Sequence, residues 1–284
     1  MHNDDALIIG CGYLGTRVAD LWLAQGRRVY ALTRNRADAL RKRGIEPIIG
    51  DILDPHTLTN LPHAGTTLYA VGMDRSTGAT MRQVYVEGLK HVLLALHGGG
   101  KLIYVSSTGV YGQTDGSEVD EDSPTLPHDE SGQTVLAAEE MLRSHRADAV
   151  VLRFAGIYGP DRLLRKAALL AGQPLVGDAD KFLNLIEVRD GARAVLATEA
   201  KATLGRTYIV SDGHPTRRRD FYTELAHLLN APEAKFTPHP TDSPIPTHDR
   251  GNRRLLNRRI VEELGWQPEY ATFHQGLRAA MESA

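Results

Sequence analysis

Residues 7–26 read LIIGCGYLGTRVADLWLAQG: an apolar run, then Gly10, Gly12 and Gly15 at the spacing G-x-G-x-x-G, then an amphipathic stretch that Gly26 ends. The spacing has a mechanical reason. Gly10 permits a tight turn out of a strand and Gly12 lets the backbone approach a diphosphate. Gly15 lets the next helix pack closely on the strand, with its first N–H groups aimed at the anion. A strand over 7–9 and a helix over 16–25, closed by Gly26 as a C-cap, are therefore expected, with a dinucleotide at the helix N-terminus. Cys11, inside the loop, reads as a small space-filling residue rather than a redox centre.

Beyond this unit, residues 29–32, 47–49, 67–71, 102–106 and 150–154 are short apolar runs without polar alternation, which reads as strands buried on both faces. Between them, residues 37–42, 81–96 and 134–144 have helical apolar spacing. Alternation of this kind predicts parallel strands joined by right-handed crossovers, an α/β doubly wound sheet of Rossmann type. After residue 155 the pattern loosens. A helix is expected over 162–171, a strand over 185–188 feeding a helix over 190–198, a strand over 207–210, and a helix over 216–229 with Thr216 as N-cap. Residues 231–250 contain five prolines and read as a surface loop.

Composition sets the outer bounds. The chain has 284 residues, 42% hydrophobic and 24% charged, as ordinary globular proteins do. A formal net charge of −2 gives no global positive field, so neither a nucleic acid nor a membrane surface is an expected partner. No apolar run approaches the roughly 18 residues of a membrane span. One cysteine permits no intramolecular disulfide, and MHNDDALIIG resembles no signal or transit peptide, so a cytoplasmic location is expected. Twelve histidines are scattered without ligand spacing, so no metal is expected. No G-x-S-x-G supports hydrolase chemistry. The basic runs at 217–219, 253–254 and 258–259 read as solvated helix faces, with phosphate or carboxylate recognition as the other reading.

The end of the second strand speaks to the cofactor. An Asp or Glu there accepts hydrogen bonds from a ribose 2′-hydroxyl, whereas an arginine accommodates a 2′-phosphate. This chain has Thr33, Arg34, Asn35 and Arg36. NADP(H) is therefore favoured over NAD(H), with Arg34 as the clamp and Arg36 as a second candidate. Asp51 and Ile52, in GDILD, follow the third strand, where a carboxylate and an apolar side chain suit an adenine ring.

Four further motifs occur in order: KLIYVSSTGVYG from Lys101, LRFAGIYGP from Leu152, NLIEVRDGARAV from Asn184, and the C-terminal NRRLLNRRIVEELGWQPEYATFHQGL. Together with the glycine loop they resemble the extended and atypical short-chain dehydrogenase/reductases, the NAD-dependent epimerase/dehydratase family. The resemblance implies a dinucleotide-binding Rossmann domain over 1–155, with 184–212 returning to it, and a smaller substrate-binding domain from 156–183 and 213–284. It places Gly10, Gly12, Tyr13, Leu14 and Gly15 at the pyrophosphate and Asp51 and Ile52 at adenine, beside the Thr33 and Arg34 already read at the adenosine ribose. Ala70, Val71 and Gly72 fall beside the cofactor at the end of the fourth strand. Ser107 falls where the family keeps the serine or threonine that hydrogen-bonds the reacting substrate oxygen.

The same alignment marks departures. Where typical members carry Tyr-x-x-x-Lys, this chain has Ser131 and Val135; a family asparagine becomes Tyr85 and a histidine becomes Glu187. Tyr111 is the first candidate to replace the missing proton donor, while Tyr158 and Arg153 read as packing and anchoring residues. His128 and Asp129 read as polar loop residues. The resemblance thus implies hydride transfer on an unknown small hydroxyl or keto substrate, by a monomer or homodimer. The alternative is a catalytically silent NADP(H) sensor.

Overall fold

The glycine loop stands where strand order reverses. In the computed structural model, which describes residues 4–98, 100–240, 249 and 251–282, strand β1 (Ala6–Ile9) leads through Gly10–Gly12 into helix α1 (Tyr13–Ala24) and back to β2 (Val29–Thr33). Helix α2 (Ala37–Arg41) leads to β3 (Glu46–Ile49). The chain then returns to the other side of β1 with β4 (Thr66–Tyr69), helix α3 (Gly88–Ala95), β5 (Lys101–Ser107), helix α4 (Glu130–His145) and β6 (Val150–Phe154). Helix α5 (Val188–Lys201) and β7 (Thr207–Val210) complete a seven-stranded sheet of order β7-β6-β5-β4-β1-β2-β3. All its pairings are parallel. Open sheets of this kind bind ligands outside the carboxyl ends of strands at such a reversal.

Period-two alternation sorts the strand residues into two layers. Ala6 and Ile8 face Val18 and Trp22 of α1 and Ala192 and Val195 of α5. Leu7 and Ile9 face Leu89 and Val92 of α3 and Ala138 and Leu142 of α4. The expectation of strands buried on both faces fails at β3, where Ile49 is 58% exposed. As the sheet edge, β3 has one neighbour and a partly open face.

The helix expected over 81–96 contains a π-helical turn at Gln83–Glu87 before α3. There the Tyr85 hydroxyl accepts the Met73 N–H at 3.0 Å and ties the helix to the chain leaving β4. Helix α4 starts four residues earlier than its apolar spacing suggested, because the Asp129 side chain caps it by accepting the Gly132 N–H at 2.8 Å.

Chain that follows β6 and β7 builds a third apolar cluster from Tyr158, Leu169, Leu185, Phe221, Tyr222, Leu225, Phe273 and Leu277. Here local reading did worst. Of residues 162–171 only Lys166–Leu170 is helical, entered through Arg165 at φ 59°. Thr216 is no helix cap: Thr216–Arg217 pairs antiparallel with Phe182–Leu183, and α6 (Arg218–Leu228) starts behind it without a side-chain cap. The carbonyls of Lys181 and Ala179 accept the N–H groups of Arg218 and Arg219, which satisfies the donors a cap would have taken. Within the stretch read as loop, Phe236–Thr237 pairs with Leu175–Val176; residues 241–248 and 250 lie outside the described residues. Among the described residues no helix is long and apolar enough to cross a membrane.

Candidate functional site

Two hollows lie along the carboxyl ends of the strands. The smaller, about 430 Å³, is lined by Gly10, Cys11, Gly12, Thr33, Arg34, Arg36, Asp51, Ile52, Ala70, Val71, Gly72 and Asp74, among others. The loop beneath it needs glycine at three places for three different reasons. Gly10 has φ +95°, and a Cβ there would lie 2.5 Å from the Ala70 carbonyl, so loop and β4 touch. A Cβ on Gly15 would lie 2.6 Å from the Gly10 carbonyl oxygen, the close helix–strand contact the motif implies. At Gly12 a Cβ would meet nothing within 4 Å: its backbone faces open space. Such a floor fits a diphosphate.

Not every residue assigned to the loop faces the hollow. Tyr13 donates its hydroxyl to the Pro160 carbonyl at 2.7 Å and lies under the guanidinium groups of Arg17 and Arg162. Burial pushes its phenol up to about 12. Leu14 packs in the core.

At the adenosine end, the Thr33 hydroxyl accepts the Arg36 N–H at 3.1 Å, and the Asp51 carboxylate accepts the Leu53 N–H at 2.9 Å. Arg36 donates to the Cys11 carbonyl. Arg34 pairs with Asp74 at 2.7 Å, both about half exposed. The Ser76 hydroxyl and then Arg34 hold the Asp74 carboxyl below the usual carboxylate range. An acid does reach this end of the hollow, but from the loop after β4, which the reading of β2 did not see.

The larger hollow, about 640 Å³, brings Ser107, Tyr111, His128, Ser131 and Phe154 together with Phe182, Asn184, Arg218, Tyr222 and Arg253. Ser107 ends β5 and caps the short 3-10 turn Thr108–Val110: its Oγ accepts the Gly109 N–H at 3.1 Å. Tyr111 lines the hollow but is 2% exposed, and its phenol oxygen takes a hydrogen bond from Arg153 Nη1 at 2.8 Å. Arg153 in turn holds both oxygens of Glu139 at 3.1 and 2.7 Å, and Ser106 donates to Glu139 at 2.5 Å. Burial pushes the Tyr111 phenol up to about 12 against the pull of Arg153. The expected replacement donor is instead sealed into a buried network that fixes the loop. Tyr158 is buried edge-on to Phe221 in the third apolar cluster.

Sequence reasoning took Arg218 and Arg253 first for members of solvated helix faces, with anion recognition as the other reading; the structure turns both toward the hollow. Of three consecutive arginines, Arg217 stacks on Phe182 at 4.0 Å, Arg219 pairs with Asp180, and Arg218 turns inward at 4% exposure to meet Asp249 at 2.7 Å. Arg253 donates to the carbonyls of Tyr111 and Thr108 at 2.9 and 2.7 Å, so the C-terminal segment braces the Ser107 loop. A run of like charge carried no local signal that its middle member would be buried.

Residues 6–283 match the family described as RmlD substrate binding domain. The chain belongs to that family. Its relatives place it among the extended short-chain dehydrogenase/reductases, as the motifs anticipated. A structure from Methylobacillus flagellatus, assigned to the NAD-dependent epimerase/dehydratases, is 31% identical, covers 99% of this chain and 98% of its own, and superposes with a TM-score of 0.76. The UDP-glucose 4-epimerase of Mycolicibacterium smegmatis is 28% identical over 92% of both chains. The 2-alkyl-3-oxoalkanoate reductase of Stenotrophomonas maltophilia is 27% identical over 78% of this chain and 74% of its own. Within this extended short-chain dehydrogenase/reductase, the two residues that the motifs set against Tyr-x-x-x-Lys lie on α4: Ser131 lines the larger hollow, while Val135 packs against the core. No lysine lines that hollow among the described residues.

Proposed function

We propose that the protein is a nicotinamide-dependent oxidoreductase of epimerase/dehydratase type, preferring NADP(H), that exchanges hydride with a hydroxyl or keto carbon of a small molecule. The carrying observation is the glycine floor: open space at Gly12, and no room for a side chain at Gly10 or Gly15. When bound, the nicotinamide ring supplies or accepts the hydride. The rest falls to this chain. Gly12 and the first amides of α1 seat the diphosphate. Ile52, Leu53 and Val71 offer apolar surface to the adenine, with Asp51 beside them, and Ala70 and Gly72 flank the path toward the larger hollow. Thr33, Arg34 and Arg36 form the 2′-phosphate end.

Ser107 is the residue that touches substrate. One lone pair already accepts the Gly109 N–H, which leaves its own hydrogen to donate to a carbonyl oxygen, where negative charge grows as hydride arrives. Proton exchange falls to His128, an imidazole in the wall of the same hollow. A second reading, a silent NADP(H) sensor, rests on the motif comparison, which sets Ser131 and Val135 against the family's proton-exchanging pair.

NADPH binding followed by fluorescence tests the first step. Arg34→Ala should weaken NADPH about tenfold and NADH far less, because a charge-assisted contact to phosphate is lost at a half-exposed site where Asp74 already competes. Equal losses for both coenzymes would remove the 2′-phosphate assignment. Oxidation of bound NADPH by any member of a carbonyl panel selects the enzyme; binding without turnover across the panel selects the sensor.

A further inference from the structure

The charges lining the larger hollow do not balance. Among the described residues, Arg75, Arg165, Arg218 and Arg253 stand against Asp129 and Asp249, in a chain whose formal net charge is −2. Arg218 is the most deeply placed. Its Nη1 meets Asp249 and its Nη2 the Val176 carbonyl at 3.2 Å, but its Nε is buried with no partner, and so is the Nε of Arg253. A buried cationic N–H without an acceptor is costly, and a chain that keeps one in the wall of a cavity keeps it for something that arrives there.

Two backbone features accommodate these side chains. Gly177, at φ +120°, has no space for a Cβ, which would clash with the Arg218 guanidinium. Arg165 adopts φ 59°, a left-handed conformation that side-chain-bearing residues rarely hold, and reaches the Tyr222 phenol at the same wall.

We propose that this hollow binds its substrate by an acid group, carboxylate or phosphate, seated at Arg218 and Arg165, with the carbon skeleton against Leu164, Leu183 and Tyr222. Asp249 then serves as the counter-ion that keeps Arg218 folded in place, and the unpartnered Nε of Arg218 is left for the ligand. The inference deepens the oxidoreductase reading and rests on it for calling the bound acid a substrate; the binding itself does not.

Calorimetry on the full chain, with and without saturating NADPH, can separate the two. The probes are acetoacetate, dihydroxyacetone phosphate and the neutral ester methyl acetoacetate. At least one acid should bind at about millimolar or tighter, the ester about tenfold more weakly, and the acid that binds tells carboxylate from phosphate. Arg165→Ala, at an exposed position, should weaken that acid about tenfold while leaving NADPH affinity unchanged and the chain folded. Arg218→Lys keeps the charge but loses the Nε donor, and should weaken the acid in the same way. The proposal is overturned if ester and acid bind alike, if neither acid gives heat at about 10 mM, or if Arg165→Ala leaves acid affinity as it was. Acid binding in a chain that gives no heat with NADPH would keep the acid site and sink the oxidoreductase reading instead.

Discussion

Replacing Asp212 with asparagine will stabilise the fold at neutral pH, and the gain will widen as pH rises. Asp212 follows β7, is 4% exposed, and accepts one N–H, from His214 at 2.9 Å. Its Oδ2 is buried without a partner. Burial first, and then the nearby charge of Asp190, push its carboxyl up from 3.8 to about 8. Between those values the folded chain keeps a proton that the unfolded chain has released, so stability falls as pH rises. The slope is at most about 1.4 kcal/mol per pH unit. Below the lower value both states carry the proton and the position is neutral; above the upper value the full cost is present. Asparagine has the same shape, accepts the same N–H and never ionises. Variant and parent should therefore unfold alike near pH 4 and diverge by up to roughly 4 kcal/mol at pH 7. Urea unfolding of both proteins across that range checks this; curves that stay parallel would show the carboxyl ionised at its ordinary value.

Asp212 also shows why the sequence was readable in one place and opaque in another. The glycine loop is legible because its demands are local: a turn at Gly10, open backbone at Gly12 and a helix contact at Gly15 lie within six residues, and Gly10 and Gly15 leave no room for a side chain. The parallel sheet is legible because strands covered on both faces carry apolar runs whatever lies beside them. Arg218, Asp212 and Arg253 are opaque because each is buried by chain far from it in sequence. Arg218 turns inward for Asp249, the Asp212 N–H donates to the Leu185 carbonyl, and Arg253 braces Thr108 and Tyr111. Thr216 misled for the same reason. A threonine ahead of an amphipathic stretch is a good cap signal, and it was overridden by a strand pairing with Phe182–Leu183. Tyr111 misled differently: its place four residues after Ser107 was read correctly, but spacing does not tell whether a phenol points to solvent or to Arg153.

Ser107→Ala should lower kcat about 10²- to 10³-fold on whichever carbonyl compound oxidises NADPH, the size of loss that follows removal of one donor from a developing oxyanion. The side chain has a second job, so the variant needs a control. Its Oγ caps the turn at Gly109, and losing that acceptor should cost about 1 kcal/mol of stability, seen as a modest fall in melting temperature. Ser107→Thr restores both the acceptor and the O–H, and should recover the melting temperature together with most of the turnover. NADPH affinity should not move in either variant, because Ser107 lines the larger hollow and not the glycine-floored one. An alanine variant that loses only melting temperature would make Ser107 a loop cap and nothing more. The chemistry would then have to be sought among the other polar groups of that wall, with His128 and Ser131 first in line.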